Sequence, residues 1–261
     1  MRRFLRAGLV PAVCALAGVP AQAQWQVGGG PGLRHAVHDE FDAAGHRLVR
    51  ESGWLPGITL QAAYTAGALT WRGGAEAYRG DLDYDGRTQA GVSATSTTST
   101  TLATIHAGAA YAFAGGMSVL ALVEADRWRR DIAGTAAAAG LQESYRSTRL
   151  LAGVARTWHP SAGRLTAEAG LFRSTPERMR VAFSGHYDPA RFDGGRVRGL
   201  RLGLALHPAQ VPWLELRTRY DHASTPRSGA VPLTADGQFR GTITQPEHTR
   251  QALTFAVSAM Y

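Results

Sequence analysis

From residue 57 onward the chain is a series of short runs in which apolar side chains take turns with small or polar ones. The last run is the plainest. Leu253, Phe255, Val257, Ala259 and Tyr261 fall on one face, and Arg250, Ala252, Thr254, Ala256, Ser258 and Met260 on the other. Alternation with period two is the mark of a strand with one greasy face. Leu200, Leu202, Leu204 and Leu206 repeat it against Arg201, Gly203, Ala205 and His207. Similar runs begin at Ile58, Leu69, Ile105, Val119, Leu150, Leu165 and Leu214. A first strand over Trp25–Glu40, broken by Gly28-Gly29-Gly30-Pro31-Gly32, brings the expected total to ten. The glycine-proline stretch reads as a bend or a plug-like start, because proline cannot donate to a ladder.

Short turns are expected at Thr65-Ala66-Gly67, Ala114-Gly115-Gly116, His159-Pro160-Ser161-Ala162 and Pro208–Pro212. Longer loops are expected over Phe41–Ser52, Arg87–Thr101, Ala133–Gly140, Arg173–Gly195 and Ala223–Pro246, the Ser/Thr-rich second one mobile. Met179, Val181 and Phe183 alternate inside the fourth loop and leave twelve strands as an alternative. Tyr64, Trp71, Tyr111, Phe113, Trp158 and Tyr261 gather near the short turns. Apolar-out, polar-in strands with aromatic ends predict an all-β fold, a transmembrane antiparallel up-and-down β-barrel of about ten strands. An even count places both termini and the short turns on the periplasmic side, with the final strand pairing the first.

Residues 1–23 read as an export signal: Arg2, Arg3 and Arg6, an apolar stretch from Leu9 to Val19, then Ala21-Gln22-Ala23 for cleavage. Residues 24–261 are then the barrel, exported to the outer membrane of a Gram-negative bacterium. Loss of the three arginines takes the net charge from +8 to +5, and Cys14 leaves with the signal, so no disulfide or thiolate chemistry remains. Lysine and asparagine are absent throughout. We read this as genome base composition first and lipid-phosphate contact second. Nothing basic is organised for nucleic acid.

The inward positions carry Arg72, Glu76, Glu124, Asp126, Arg149, Glu168, Arg201, Glu215, Arg217, Arg219 and Asp221. In a narrow lumen these must pair, because a buried unpaired charge costs several kcal/mol. A wide pore needs about 16 strands, so a charge-filled, closed lumen is expected and a channel disfavoured. Asp221-His222 reads as a rim ion pair.

Candidate chemistry is sparse. Gly91-Val92-Ser93-Ala94-Thr95 lacks the last glycine of a nucleophile elbow, and no two histidines have metalloprotease spacing. Asp81, Asp83, Asp85 and Gly86 match half of a calcium loop, but Val92 stands where the bidentate glutamate belongs. No metal or cofactor is assigned. Asp81 and Asp83 share one strand face and form a carboxylate pair of the kind that activates water. Alternation from Glu76 and Tyr78 sends them outward unless a bulge precedes Gly80.

An Asp-x-Asp-aromatic at the top of the third strand, and His186-Tyr187-Asp188-Pro189 in the fourth long loop, resemble the omptins, the outer-membrane endopeptidases of Gram-negative bacteria. The resemblance spans the whole barrel in topology and rests on these two short motifs. It implies that Asp81 and Asp83 face His186 across the barrel mouth, with water between them attacking a peptide bond. It also implies lipopolysaccharide on the outer basic face as a supporting partner. The family's second aspartate, two residues before the histidine, is Ser184 here. That departure favours a non-enzymatic barrel on an omptin-like scaffold, acting through its outer loops or structurally in the membrane. The alternative is an endopeptidase using Asp81, Asp83 and His186 on a peptide or protein at the outer loops.

Overall fold

The structure is a computed structural model describing residues 23–87, 92–135 and 139–261. The expected export signal falls almost wholly outside those residues. Twelve strands follow in order: β1 Gln24–Phe41, β2 Arg47–Ala66, β3 Leu69–Arg87, β4 Ser93–Phe113, β5 Met117–Ile132, β6 Leu141–Trp158, β7 Gly163–Ala182, β8 Ala190–Pro208, β9 Leu214–Thr225, β10 Val231–Ala235, β11 Gln238–Ile243 and β12 Glu247–Met260. Ten of them close one antiparallel barrel in the order β1-β12-β9-β8-β7-β6-β5-β4-β3-β2. The β10–β11 pair forms a separate hairpin. The final strand does pair with the first, and at the seam Val27 and Tyr261 exchange backbone hydrogen bonds of 2.9 and 2.8 Å.

The strands are far longer than the alternation had marked. A bilayer needs about 9–11 residues of tilted strand, whereas β4 has 21 and β2 and β7 have 20. The reason shows on the outer face. Going away from the short turns, outward residues are apolar to Ala77 on β3, Ala125 on β5, Leu171 on β7 and Leu200 on β8. The next outward residues are Arg79, Arg127, Arg173 and Arg198. The apolar half crosses the lipid; the charged half projects beyond it as a polar collar. Segments expected as loops therefore continue as strand: Arg47–Ser52, Ser93–Thr101, Arg173–Ala182 and Ala190–Gly195. Met179, Val181 and Phe183 belong to this continuation, not to an extra pair. Part of the expected mobile loop, residues 88–91, lies outside the described residues.

The glycine-proline stretch neither bends β1 nor plugs the lumen. It pairs without interruption on β2, and only on β12 does the register pass over Gly30 and Pro31. The expected aromatic girdle is present: Trp71, Tyr111, Phe113, Trp158 and Tyr261 are exposed outside, joined by Trp25, whose ring meets that of Tyr64 at a tilt, 4.9 Å between centroids.

Inside, every expected charge has its partner, and three of the pairs bridge separate walls of the lumen. Arg72 reaches Glu168 at 2.7 Å and Arg219 reaches Glu76 at 2.6 Å, while Arg201 bonds Glu124 and, at 2.6 Å, Asp221. Arg149 pairs with Asp126 and Arg217 with Glu215. Asp221 thus lies in the lumen with Arg201 and Arg219 rather than at the rim, and His222 points the other way, opposite Leu200. The outer mouth is covered by the β10–β11 hairpin. Asp236 and Gly237, both at positive φ (51° and 73°), make its two-residue turn. Val231, Leu233 and Ile243 pack onto the buried Trp128, Met179, Val181, Phe183 and Phe192.

Candidate functional site

β3 runs past Gly80 in constant register with β4, with no bulge to turn it. Asp81 and Asp83 therefore stay on the outward face above the apolar band, exposed, and Asp81 accepts a hydrogen bond from Ser99 Oγ at 2.6 Å. His186 is exposed in the turn between β7 and β8, its backbone N–H donating to Phe183 O. β7 lies four strands from β3 by the shorter way round the barrel. The two aspartates share a face, but neither points into the mouth that the His186 turn borders. Asp188 holds the lid: its Oδ2 accepts from Gly237 N at 3.0 Å, and its own N–H donates to Thr234 O at 2.8 Å. Ser184, at φ 50°, donates from Oγ to Gly140 O at 2.6 Å and so ties the β5–β6 connection to the β7–β8 turn.

Below the lid, above the bilayer-crossing part of the strands, is a buried polar cluster. The Arg130 guanidinium, fully buried, donates to Glu51 through Nε and Nη2 (3.0 and 2.8 Å). Its Nη1 reaches Glu40 at 2.8 Å, Glu143 at 2.6 Å and the Tyr145 hydroxyl at 3.2 Å. Thr98 and Tyr145 donate in turn to Glu51 and Glu143. The Arg130 cation lies over Trp128, 5.1 Å from the ring centroid, with Arg250 at the same distance. Arg250 and His248 meet Glu177 beside it.

Three carboxylates around one cation cannot all ionise cheaply. Burial, with Glu40 adding to it against the pull of Arg130, pushes the Glu143 carboxyl up to about 7. Burial also raises Glu40, but Arg130 and His38 more than offset it and hold Glu40 low. His38 falls to about 4, through burial and then the nearby Arg130, so at neutral pH it is uncharged. Its Nε2–H then donates to Glu40 at 2.9 Å.

A raised carboxyl adds stability below its unfolded pKa and loses it as pH climbs through the folded value. Glu143→Gln keeps the acceptor for Arg130 and Tyr145 but no longer titrates. Relative to the parent, the variant should gain about 1 kcal/mol between pH 6.5 and 8.5. Paired unfolding midpoints in detergent at the two pH values measure this, and a constant difference would mean that Glu143 does not titrate in that interval.

The collar carries a second feature that alternation alone did not reveal. Arg127, Arg146 and Arg178 are direct cross-strand neighbours on β5, β6 and β7, all exposed and outward at one height. Among the described residues none of the three has an ion-pair partner; Asp193 stands opposite Arg178 in register without forming one. Like charges directly opposite destabilise a sheet. Beside them Pro176 falls in a gap of the β6–β7 pairing, and the β7–β8 register shifts on either side of it, as expected for a residue that cannot donate. The groove there encloses about 740 Å³ between the apolar Ala103, Ile105 and Ala125 and the arginines above.

No protein-family model matches the chain, and a comparison with curated proteins finds no match. Among solved structures the chain is similar to the outer membrane protease OmpT from Escherichia coli: 7% identity, 93% of this chain and 98% of that chain covered, TM-score 0.53. The translocator domain of autotransporter NalP from Neisseria meningitidis gives 13%, 90% and 88%, TM-score 0.49. Neisserial surface protein A gives 10%, 91% and 97%, TM-score 0.38. At such identities the likeness is one of fold. The apolar outer band, the closed ladder and the fold shared with OmpT together make the architecture that of an outer-membrane β-barrel.

Proposed function

We propose that this chain is a non-enzymatic barrel of the Gram-negative outer membrane, with an omptin-like scaffold, whose collar binds lipopolysaccharide and whose capped outer end faces the surroundings. The observation that carries the reading is the Arg127–Arg146–Arg178 row. Three unpaired guanidinium groups side by side are a poor arrangement alone and a good one around phosphate, which Arg binds through paired N–H donors. The groove below supplies apolar wall for an acyl chain next to the headgroup site. The outward placement of Asp81 and Asp83, away from His186, weighs against the endopeptidase alternative, as does a mouth closed by the hairpin.

The test uses the refolded protein in detergent with lipopolysaccharide and with its dephosphorylated form. The parent should bind the phosphorylated lipid, and joint replacement of Arg127, Arg146 and Arg178 by serine should weaken binding at least tenfold. Equal binding of both lipids would remove the assignment. A peptide library incubated with the lipopolysaccharide-loaded protein should stay uncut. Cleavage lost in Asp83→Ala would replace this reading with the endopeptidase.

A further inference from the structure

The barrel's other end is also built around a space. Below the Arg201 and Arg219 pairs the lumen widens into a cavity of about 430 Å³ that reaches the short turns, touching Thr65, Thr70, Ser118 and Thr157. That volume is in the range of small-molecule sites. It exists because inward positions here are small: Ala63, Ala110, Ala155 and Ala205 face it where longer side chains would fill it. One part of the wall is apolar, formed by Leu120, Leu122 and Leu151.

The charges around this space do not cancel. At the closed end Arg34, Arg201 and Arg219 face Glu76, Glu124 and Asp221, three against three. Along the walls Arg72 is matched by Glu168 at 2.7 Å and Arg217 by Glu215 at 2.9 Å. That leaves Arg164 at the entrance, exposed and, among the described residues, in no ion pair. His207 also lines the space, close to Glu215 (3.2 Å from Nε2) but hydrogen-bonded through neither ring nitrogen.

We propose that the cavity binds a small organic monoanion entering from the periplasmic side. The carboxylate would meet Arg164 and the donors of Arg217 and His207, with the apolar part against Leu120, Leu122 and Leu151. One uncompensated cation calls for one negative charge, and the leucine wall calls for a hydrocarbon body. This site is independent of the collar reading and lies at the opposite end of the barrel.

The probe is 4-fluorobenzoate, followed by 19F NMR with the refolded protein in detergent. The neutral isostere 4-fluorobenzyl alcohol controls for partition into the micelle. The acid should bind saturably and the alcohol should not. Arg164→Gln, at an exposed position that leaves the fold intact, should weaken the acid at least tenfold, and so should Arg217→Gln if it refolds. Arg79→Gln, on the outer wall, should bind as the parent does. No saturable binding, equal binding of acid and alcohol, or affinity unchanged in Arg164→Gln would each overturn the proposal.

Discussion

Replacing Arg130 by methionine should destabilise the folded barrel by about 3–5 kcal/mol, the usual result of removing one partner from a buried charge network. The size follows from what is stranded. Glu40, Glu51 and Glu143 all lean on one guanidinium that makes five contacts within 3.2 Å. Without it, two or three carboxyls face one another with no cation among them. The rescue is as informative as the loss. Adding Glu40→Gln, Glu51→Gln and Glu143→Gln to the methionine variant removes the stranded charges and should restore most of the stability. Denaturant unfolding of the three proteins in one detergent measures both effects. A methionine variant as stable as the parent would show that water, not Arg130, compensates these carboxylates.

Gly30→Ala should prevent the barrel from closing, so that refolding yields little of the compact form that migrates faster in unheated SDS gels. A methyl group at Gly30 would lie 2.0 Å from the backbone carbonyl oxygen of Val257, on the strand that seals the cylinder. Contacts below 3.0 Å to backbone can be relieved only by moving β1 and β12 apart, at the seam where Pro31 already leaves a ladder bond unmade. Gly229→Ala, with open space around the same atom, should refold like the parent. A parental refolding yield for Gly30→Ala would mean that the two strands are not packed this closely.

Much of the fold was legible because a lipid-spanning strand leaves little freedom. Leu200 to Leu206 must face hydrocarbon, so Arg201, Gly203, Ala205 and His207 face in. The same parity correctly assigned the inner charges along the lower barrel. It failed above the membrane for a physical reason. Once outward positions meet water, Arg127, Arg129 and Arg178 are as polar as the inward Arg130 and Glu177, and the contrast that marks a strand disappears. Ser93–Thr101 is strand for that reason yet reads as loop. Carrying the parity of Glu124, Asp126 and Trp128 two residues further would have placed Arg130 inside. Asp236-Gly237 was a hairpin signal in what had been expected to be a loop.

The candidate site followed the same division. Alternation put Asp81 and Asp83 outside, and the unbroken register of β3 kept them there. Which outward arginines stand shoulder to shoulder was invisible, because Arg127, Arg146 and Arg178 are 19 and 32 residues apart in the chain and become neighbours only through strand register.

Sequence alone determined that this chain is a closed antiparallel cylinder, which side of each lower strand meets lipid, and that its inner charges must neutralise one another. These follow from solvation, which acts on each residue through its immediate neighbours. The tertiary structure alone decided which charges pair across the lumen, that a hairpin caps the outer end, and that one end keeps an unfilled cavity. These depend on register and closure, which bring distant residues together and which no local pattern encodes.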